Sequence, residues 1–287
     1  MKRTNIASSA LLALVGTCVT AATGIAGPYP AFTDVANQVQ PSQVKAWAST
    51  VVDYSPAPGV DAAYADPTVA LGANGSGIVS LGDLDAGQID TGVQPGSITL
   101  QFALPIVDKA GPDLAVFENA AEYFTAPYIF GELAYVEVSS NGTDFARFPS
   151  VSLNIEPDDN GELDTDEIAV PFGRNFAGVD TTNIHNLAGV HPAGIGTPFD
   201  LAELITQPEV VSGAVDLSAI QFVRLVDIPG NGAFLDSLGN PILDTWLTTG
   251  SGGLDLDAVG ALNVPEPASM VLALAGIATL AWCRRRS

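Results

Sequence analysis

The chain has 287 residues and carries 32 acidic against 10 basic side chains, which gives a formal net charge of −22 at pH 7. A chain this acidic repels the phosphate backbone, which excludes nucleic acid as a partner. The length is sufficient to bury a hydrophobic core without disulfide bonds.

The N-terminus has the order of a secretory signal peptide. A basic start precedes an apolar run at 6–19, and small residues follow, with cleavage expected after Ala22 or Ala26. We therefore predict a signal peptide over residues 1–26 and export through the secretion translocon.

The exported body, residues 27–263, is more acidic than the whole chain. Half of the basic residues lie in the two termini, so the body has five bases against 31 acids, a formal charge of −26. Cys18 and Cys283 also lie outside it, so it is predicted to form no disulfide. Thr17 before Cys18 argues against a lipoprotein. The charge of the body favours bound cations, or cationic and neutral partners.

Apolar residues of the body follow the two-residue period of β-strands, interrupted by Gly, Pro, Asn and Asp. The best-defined unit is a hairpin at 134–148, in which Ala134, Val136 and Val138 alternate with other residues and Asn141-Gly142 supplies the turn. Further strands are predicted at 98–104, 114–118, 220–228 and 254–262, the middle two apolar enough to be central, and one helical turn at 200–205. The sequence predicts an all-β fold, a single antiparallel β-sandwich over residues 27–263.

Two short motifs resemble binding sites and are predicted not to be. The glycine stretch at 72–77 lacks the Lys-Ser/Thr pair of a phosphate loop, so we expect a turn between strands. His185 and His191 form a His-x5-His pair, but the body has no Cys and no adjacent His-Glu frame, so we expect them to pack in a loop rather than bind metal. Zinc, thiol and Ser-His-Asp chemistries lack the residues that they need.

Carboxylates are the abundant chemical groups of the body, and one concentration lies at residues 158–167. Asp158, Asp164 and Asp166 of this run are candidate calcium ligands, because Ca²⁺ takes about six to eight oxygen ligands from such loops. The glycine of the run is not at the EF-hand position. The alternative is a solvated acidic loop, since charge runs are commonly hydrated.

A second acidic set lies within or beside the apolar strands: Asp113, Glu118, Asp227, Asp255 and Asp257. A carboxylate that is partly buried there needs a cation, a hydrogen-bond donor or a proton. If these strands are neighbours, we expect Glu118, Asp227 and Asp257 to converge on one structural Ca²⁺. The alternative is that the carboxylates lie at sheet edges and accept hydrogen bonds from loop amides.

The segment 264–287 has the order of a sorting signal. Pro265, Glu266 and Pro267 are followed by an apolar run at 268–282, which is predicted to be a transmembrane helix, and then by a basic cluster of Arg284, Arg285 and Arg286. At about 1.5 Å per residue the run spans roughly 22 Å, so it only just crosses a bilayer. The segment resembles the PEP-CTERM tail that exosortase-type processing enzymes recognise in Gram-negative bacteria. The resemblance implies an inner-membrane intermediate, cleavage, and delivery to the cell surface or extracellular matrix; an uncleaved single-span anchor is the alternative.

Several longer strings of the body are also informative. They include YSPAPGV (54–60), DLAVFENA (113–120), AYVEVSSNGTDFARFPSVSL (134–153), NLAGVHPAGIGTPFDLAEL (186–204) and SGGLDLDAVGAL (251–262). These strings resemble a family of bacterial cell-surface proteins that often carry this tail. The resemblance implies a jelly-roll-like β-sandwich and no established biochemical activity. Ala120 departs from the pattern, which has Gly after Phe-Glu-Asn.

Two functions from different classes are consistent with these features. The first is a non-catalytic module that binds extracellular polysaccharide or builds a biofilm, with Trp47 and Trp246 as candidate glycan contacts; such aromatics are otherwise core or rim residues. The second is a glycan-active hydrolase, since two carboxylates about 5 to 9.5 Å apart suffice for glycoside hydrolysis.

Overall fold

The structure is a computed structural model that describes residues 27–122, 125–154 and 179–265. Several predictions fall outside the described residues: the signal peptide at 1–26, the acidic run with Asp158, Asp164 and Asp166, and the tail from Glu266 onward, including its apolar run and arginines.

The described residues are rich in short strands. The strands are β1 (Ala46–Trp47), β2 (Thr50–Ser55), β3 (Val79–Ser80), β4 (Ser97–Ile106), β5 (Leu114–Glu118), β6 (Ala121–Glu122), β7 (Tyr128–Phe130), β8 (Ala134–Ser139), β9 (Ala146–Arg147), β10 (Val151–Ser152), β11 (Val179–Asp180), β12 (Ile184–His185), β13 (Leu187–Ala188), β14 (Thr197–Phe199), β15 (Ile220–Asp227), β16 (Asn231–Leu235), β17 (Pro241–Leu243) and β18 (Asp255–Ala261). The α-helices are α1 (Ala86–Asp90) and α2 (Pro208–Val211), and the 3₁₀ helices are Val35–Asn37, Pro41–Gln43, Ala62–Tyr64, Pro67–Ala70, Thr181–Asn183 and Leu201–Leu204.

Two larger sheets organise the molecule, and every strand pair within them is antiparallel. One sheet has the order β1–β18–β5–β14, with β3 beside β18; the other has the order β13–β8–β15–β4–β2, with β9 beside β8. The prediction of a mostly β chain with antiparallel sheets is confirmed. The strands β5 and β15, which were expected to be central because both are strongly apolar, are interior in their sheets.

The largest core cluster combines side chains from both sheets. Val116 and Val259 come from the five-stranded sheet, and Leu100, Val136 and Leu225 come from the six-stranded sheet. These residues alternate along their strands with residues that point the other way, as the two-residue period requires. The main core therefore lies where one face of each sheet contributes its apolar residues.

A second apolar cluster involves the opposite face of the six-stranded sheet. Tyr135 of β8 belongs to it together with Ile129, Leu133, Ile228 and Ile242. Because both faces of β8 are covered, all six residues of this strand are buried. The sequence alternation identified the strand but could not reveal the cover of its second face, to which other strands such as β7 and β17 contribute.

The predicted elements agree with the structure in position. The strands predicted at 98–104, 114–118, 220–228 and 254–262 correspond to β4, β5, β15 and β18. The hairpin of β8 and β9 is present, with Gly142 at a φ of 76° in its turn. The helical turn at 200–205 is a 3₁₀ helix whose first amide groups are capped by Asp200.

Candidate functional site

Six carboxylates gather where strands of the two sheets end, and we call this set the acidic cavity: Asp83, Glu118, Glu132, Asp227, Asp244 and Asp255. Three of them are strand termini: Glu118 ends β5, Asp227 ends β15 and Asp255 begins β18. The other three follow β3 and β17 or precede β8. All six are less than 10% exposed.

The segment after Trp246 ties two of these carboxylates together. The Thr248 amide donates to Asp83 Oδ2 at 3.0 Å, and the Thr248 hydroxyl donates to Glu132 Oε1 at 2.5 Å. Gly253 closes the segment, because its amide donates to Thr248 Oγ1 at 3.0 Å. A Cβ on Gly253 would lie 2.7 Å from Asp227 Oδ1, so only glycine allows this close approach.

Backbone amides satisfy one oxygen of two further carboxylates. Leu254 N donates to Asp227 Oδ1 at 2.7 Å, and Leu133 N donates to Asp244 Oδ2 at 2.6 Å. These bonds fix the orientation of both side chains. They leave the second oxygen of Asp227 without a donor.

Four carboxylate oxygens of the acidic cavity are buried and have no hydrogen-bond partner. They are Asp83 Oδ1, Glu118 Oε1, Asp227 Oδ2 and Asp255 Oδ1, and the buried Thr245 hydroxyl is in the same condition. In the part of the chain that the structure describes, no lysine, arginine or histidine forms a salt bridge to any of the six acids. Buried polar atoms nearly always have partners, so these exceptions require an explanation.

Burial shifts the protonation of the whole set. Burial raises the pKa of Asp83 and of Asp255 to about 7. For Glu118, Glu132, Asp227 and Asp244, burial raises the pKa well above the usual range, and the negative charges of neighbouring members of the set raise it further. Hydrogen bonds from backbone amides oppose these shifts in Glu118, Asp227 and Asp244 without offsetting them.

The acidic cavity is open to solvent on two sides of the 247–249 segment. One opening has a volume of about 320 Å³ and is lined by Glu118, Glu132, Thr248 and Asp255. The other, of about 130 Å³, is lined by Asp83 and by the same segment. A small ion or water can therefore reach Asp83, Glu118, Glu132 and Asp255, whereas Asp227 and Asp244 line neither opening.

The structure brings together three of the five strand carboxylates singled out in the sequence: Glu118, Asp227 and Asp255. Asp257 lies apart, because the β18–β5 register shifts between Leu256 and Ala258, and Asp257 is the extra residue. Its two oxygens accept hydrogen bonds from Gly75 N at 2.8 and 3.0 Å. The glycine stretch at 72–77 is thus a loop held by Asp257.

Asp113 corresponds to the alternative expected for an edge carboxylate. Its Oδ1 accepts from Lys109 N at 2.9 Å and Asn263 Nδ2 at 2.8 Å, and its Oδ2 accepts from Leu201 N at 3.0 Å. Asp113 forms a group with Asp108 and Asp200, in which one carboxylate oxygen of each residue lies within 4.8 Å of the others. Within residues 27–122, 125–154 and 179–265, no other group of three or more Asp, Glu, Cys or His residues is this close. The buried member, Asp113, is already satisfied by amides.

Three members of the acidic cavity were missed by the sequence reasoning: Asp83, Glu132 and Asp244. Asp83 and Asp244 stand between apolar residues, in Leu81-Gly82-Asp83-Leu84 and Leu243-Asp244-Thr245-Trp246. The same feature singled out Asp227, so it could have identified them. Glu132 follows Gly131 in a loop and carries no comparable signal.

A second cleft, of about 210 Å³, lies at the N-terminal end of the described chain and is lined by aromatic and polar groups. The Tyr29 and His185 rings stack with centroids 4.8 Å apart and planes 6° apart. Glu203 Oε2 contacts His185 Nε2 at 2.8 Å and accepts a hydrogen bond from Asn186 Nδ2 at 2.7 Å. The His185 hydrogen bond lowers the pKa of Glu203, so this carboxylate stays ionised. We call these four residues the tyrosine cleft.

The histidines and tryptophans have clear places in the structure. His185 is in β12, whereas His191 is fully buried, with Nδ1 3.1 Å from Thr197 Oγ1. Trp246 is 6% exposed, and its indole N–H donates to the Leu84 carbonyl at 2.8 Å, so no ring face is open for a sugar. Trp47 is half-buried and packs on Phe117 at a centroid distance of 5.3 Å.

Val264, close to the end of the described residues, still packs against the largest core cluster. From the next residues onward the sequence changes character, and residues 263–287 match the family model described as PEP-CTERM protein-sorting motif. The chain therefore carries a PEP-CTERM sorting motif at its C-terminus. The motif supports export and sorting toward the cell surface, and it implies processing by an exosortase-type enzyme.

The remaining comparisons add little to this identification. The search of curated proteins finds no match to this chain. Among its described residues, no helix has both the length and the apolar character needed to cross a membrane. The apolar run at 268–282 lies outside those residues.

Proposed function

We propose that this PEP-CTERM protein is a non-catalytic module of the cell surface or extracellular matrix that binds exopolysaccharide, and that its body is a jelly-roll-like β-sandwich. The two antiparallel sheets that share one core support the sandwich. The sorting motif supports delivery to a surface where polysaccharide is the abundant polymer.

The tyrosine cleft is the observation that carries the binding part of the proposal. Sugars are bound by stacking on an aromatic face combined with hydrogen bonds to hydroxyl groups. The stacked pair of Tyr29 and His185 offers such a face, and Asn186 and the ionised Glu203 supply polar groups beside it. We prefer this cleft to Trp47 and Trp246 as the candidate glycan contact, because Trp246 is buried and Trp47 is half-buried and packs on Phe117.

The proposal is tested by retention of the full chain, in mild detergent, on a column of the producing organism's exopolysaccharide. We expect the wild-type protein to be retained and Tyr29→Ala to elute with the void volume. Tyr64→Ala is the matched control, since Tyr64 is also half-buried but lies outside the tyrosine cleft. Equal retention of Tyr29→Ala and wild type, or no retention of either, would contradict the proposal.

A glycan hydrolase is the second candidate, favoured by the carboxylates at the larger opening of the acidic cavity. Burial raises the pKa of Glu118 and Glu132, which would keep a general acid protonated at neutral pH. Incubation with the same polysaccharide and analysis of released reducing sugars tests this function. Release by wild type and not by Glu132→Gln would favour the hydrolase over the non-catalytic module.

A further inference from the structure

The acidic cavity is not explained by sorting or by a polysaccharide cleft. The six carboxylates of the cavity are buried, and the hydrogen-bond donors that contact them are backbone amides and a hydroxyl group, which carry no positive charge. Burying an ionised carboxylate is costly unless a cation or several donors compensate it. The carboxylates must therefore be neutralised by protons or by a bound cation, because the described residues provide no positive charge.

The unpartnered oxygens show where that charge is needed. Glu118 is 2% exposed and Asp227 is fully buried, yet Oε1 of the first and Oδ2 of the second have no hydrogen-bond partner. Asp83 and Asp255 each present one further unpartnered oxygen to the same cavity. Glu118 and Asp255 line the larger opening and Asp83 lines the smaller one, whereas Asp227 lines neither. Four separate segments of the fold thus each bring one unpartnered oxygen to the acidic cavity.

We propose that the acidic cavity binds a hard divalent cation of the calcium class among Asp83, Glu118, Asp227 and Asp255, with two of these carboxylates as direct ligands and the others acting through water or through their charge. The atoms that could bind a metal ion in and around the cavity are carboxylate, hydroxyl and carbonyl oxygens, and no Cys or His lines either opening. Oxygen donors select hard cations such as Ca²⁺ and Mg²⁺ over zinc.

The spacing of the carboxylates indicates how the ion is held. No three of them have oxygens mutually within 4.8 Å, so one ion contacts at most two directly in this arrangement. Besides burial, Asp83 and Asp255 both raise the pKa of Asp227 through their charge, and Asp255 also raises the pKa of Glu118, so these four carboxylates are electrostatic neighbours. Hydroxyl groups, backbone carbonyls and water from the openings complete the shell. Such an irregular, multi-element set suits Ca²⁺, whereas Mg²⁺ demands a near-ideal octahedron.

The test uses the full chain in detergent, stripped with a chelator and then titrated with CaCl₂ or MgCl₂. We expect CaCl₂ to raise the melting temperature and MgCl₂ to raise it less at equal concentration. We expect Asp227→Asn and Glu118→Gln to weaken calcium binding, measured by calorimetry, more than about tenfold.

The direction in which Asp227→Asn changes the melting temperature without metal distinguishes a metal ligand from a residue that has only a structural role. Asp227→Asn keeps the acceptor for Leu254 N and removes an uncompensated buried charge. In chelator this variant should therefore melt at or above the wild-type temperature, and in CaCl₂ below it. A residue with only a structural role would lower the melting temperature in both buffers.

Asp236→Asn is the matched control, because Asp236 is only 7% exposed but both of its oxygens accept hydrogen bonds. We expect it to lower the melting temperature equally in both buffers. Calcium stabilisation that survives in Asp227→Asn and Glu118→Gln would place the ion elsewhere and overturn the proposal. A wild-type protein that ignores calcium and loses stability as pH rises through 7 would show that protons neutralise the cavity, which also overturns it. The proposal does not depend on polysaccharide binding.

Discussion

Glu137 is the centre of the clearest charge network in the body, and its removal gives a prediction that can be worked out from the structure. Glu137 on β8 lies directly opposite Arg147 on β9 and Arg224 on β15. Its Oε1 accepts from Arg147 Nε at 2.8 Å, and its Oε2 accepts from Arg224 Nε at 2.5 Å. The carboxylate is 5% exposed, so it is almost fully removed from water.

We expect Glu137→Gln to lower the free energy of unfolding by about 3 kcal/mol. Breaking a buried ion pair costs about 3–5 kcal/mol, and the lower end applies because the side chains of Arg147 and Arg224 are 45% and 35% exposed and can be hydrated. With a urea dependence of about 3 kcal/mol per molar, the midpoint of denaturation should fall by about 1 M.

The matched control for this prediction is Glu122→Gln, which changes an exposed glutamate at the end of the short strand β6. Its midpoint should stay within about 0.2 M of wild type, since surface substitutions have small effects. If Glu137→Gln also moved the midpoint by less than that, the buried network would contribute no net stability and the estimate would be refuted.

Three further changes have expected outcomes. Burial lowers the pKa of His191 from 6.5 to about 4, so as the pH falls the unfolded state takes up a proton before the folded state does. Between pH 6.5 and 4 the wild-type protein should therefore lose up to about 3 kcal/mol of unfolding free energy that His191→Gln retains. Urea titration of both proteins at each pH measures this difference. Gly253→Ala should cost at least about 2 kcal/mol in the same assay, because φ is 69° and the added Cβ would press on Asp227 and Gly82; equal stability would show that the segment relaxes freely. Intact-mass analysis of protein from its native host should show loss of the arginines at 284–286, and a Glu266→Ala variant should retain them.

Much of the fold was predictable because local patterns and tertiary packing agree. The strands β4, β5, β15 and β18 all contribute residues to the core. Their apolar residues and the two-residue period of these residues therefore follow from burial, and both can be seen in the sequence. The hairpin turn was predictable for the same reason, since Asn141-Gly142 supplies the positive φ that it needs. The covering of the second face of β8 was not predictable, because covering residues such as Ile228 and Ile242 are remote in sequence.

The candidate site was predictable only in its principle, that a carboxylate in an apolar strand must find a partner. Asp255 and Asp257 illustrate why the rest was out of reach. They are two residues apart on one strand and would share a face in a regular ladder, but the bulge at Asp257 turns its carboxylate to Gly75. A bulge depends on the register between two distant strands, which no local pattern records. The same dependence explains Asp83 and Asp244, whose loops reach the cavity only because β3 and β17 end beside it.

The contrast between Asp113 and Asp227 shows what distinguishes a structural carboxylate from a candidate ligand in this fold. Both are fully buried beside apolar strands, and burial raises the pKa of both. Asp113 receives hydrogen bonds on both oxygens, so its charge is compensated by amides and it fastens two loops together. Asp227 receives one on a single oxygen, and its second oxygen is buried without a hydrogen-bond partner. Burial and pKa therefore do not distinguish the two residues, whereas the number of hydrogen-bond donors to each oxygen does. By this criterion the acidic cavity, and not Asp113, is the candidate cation site.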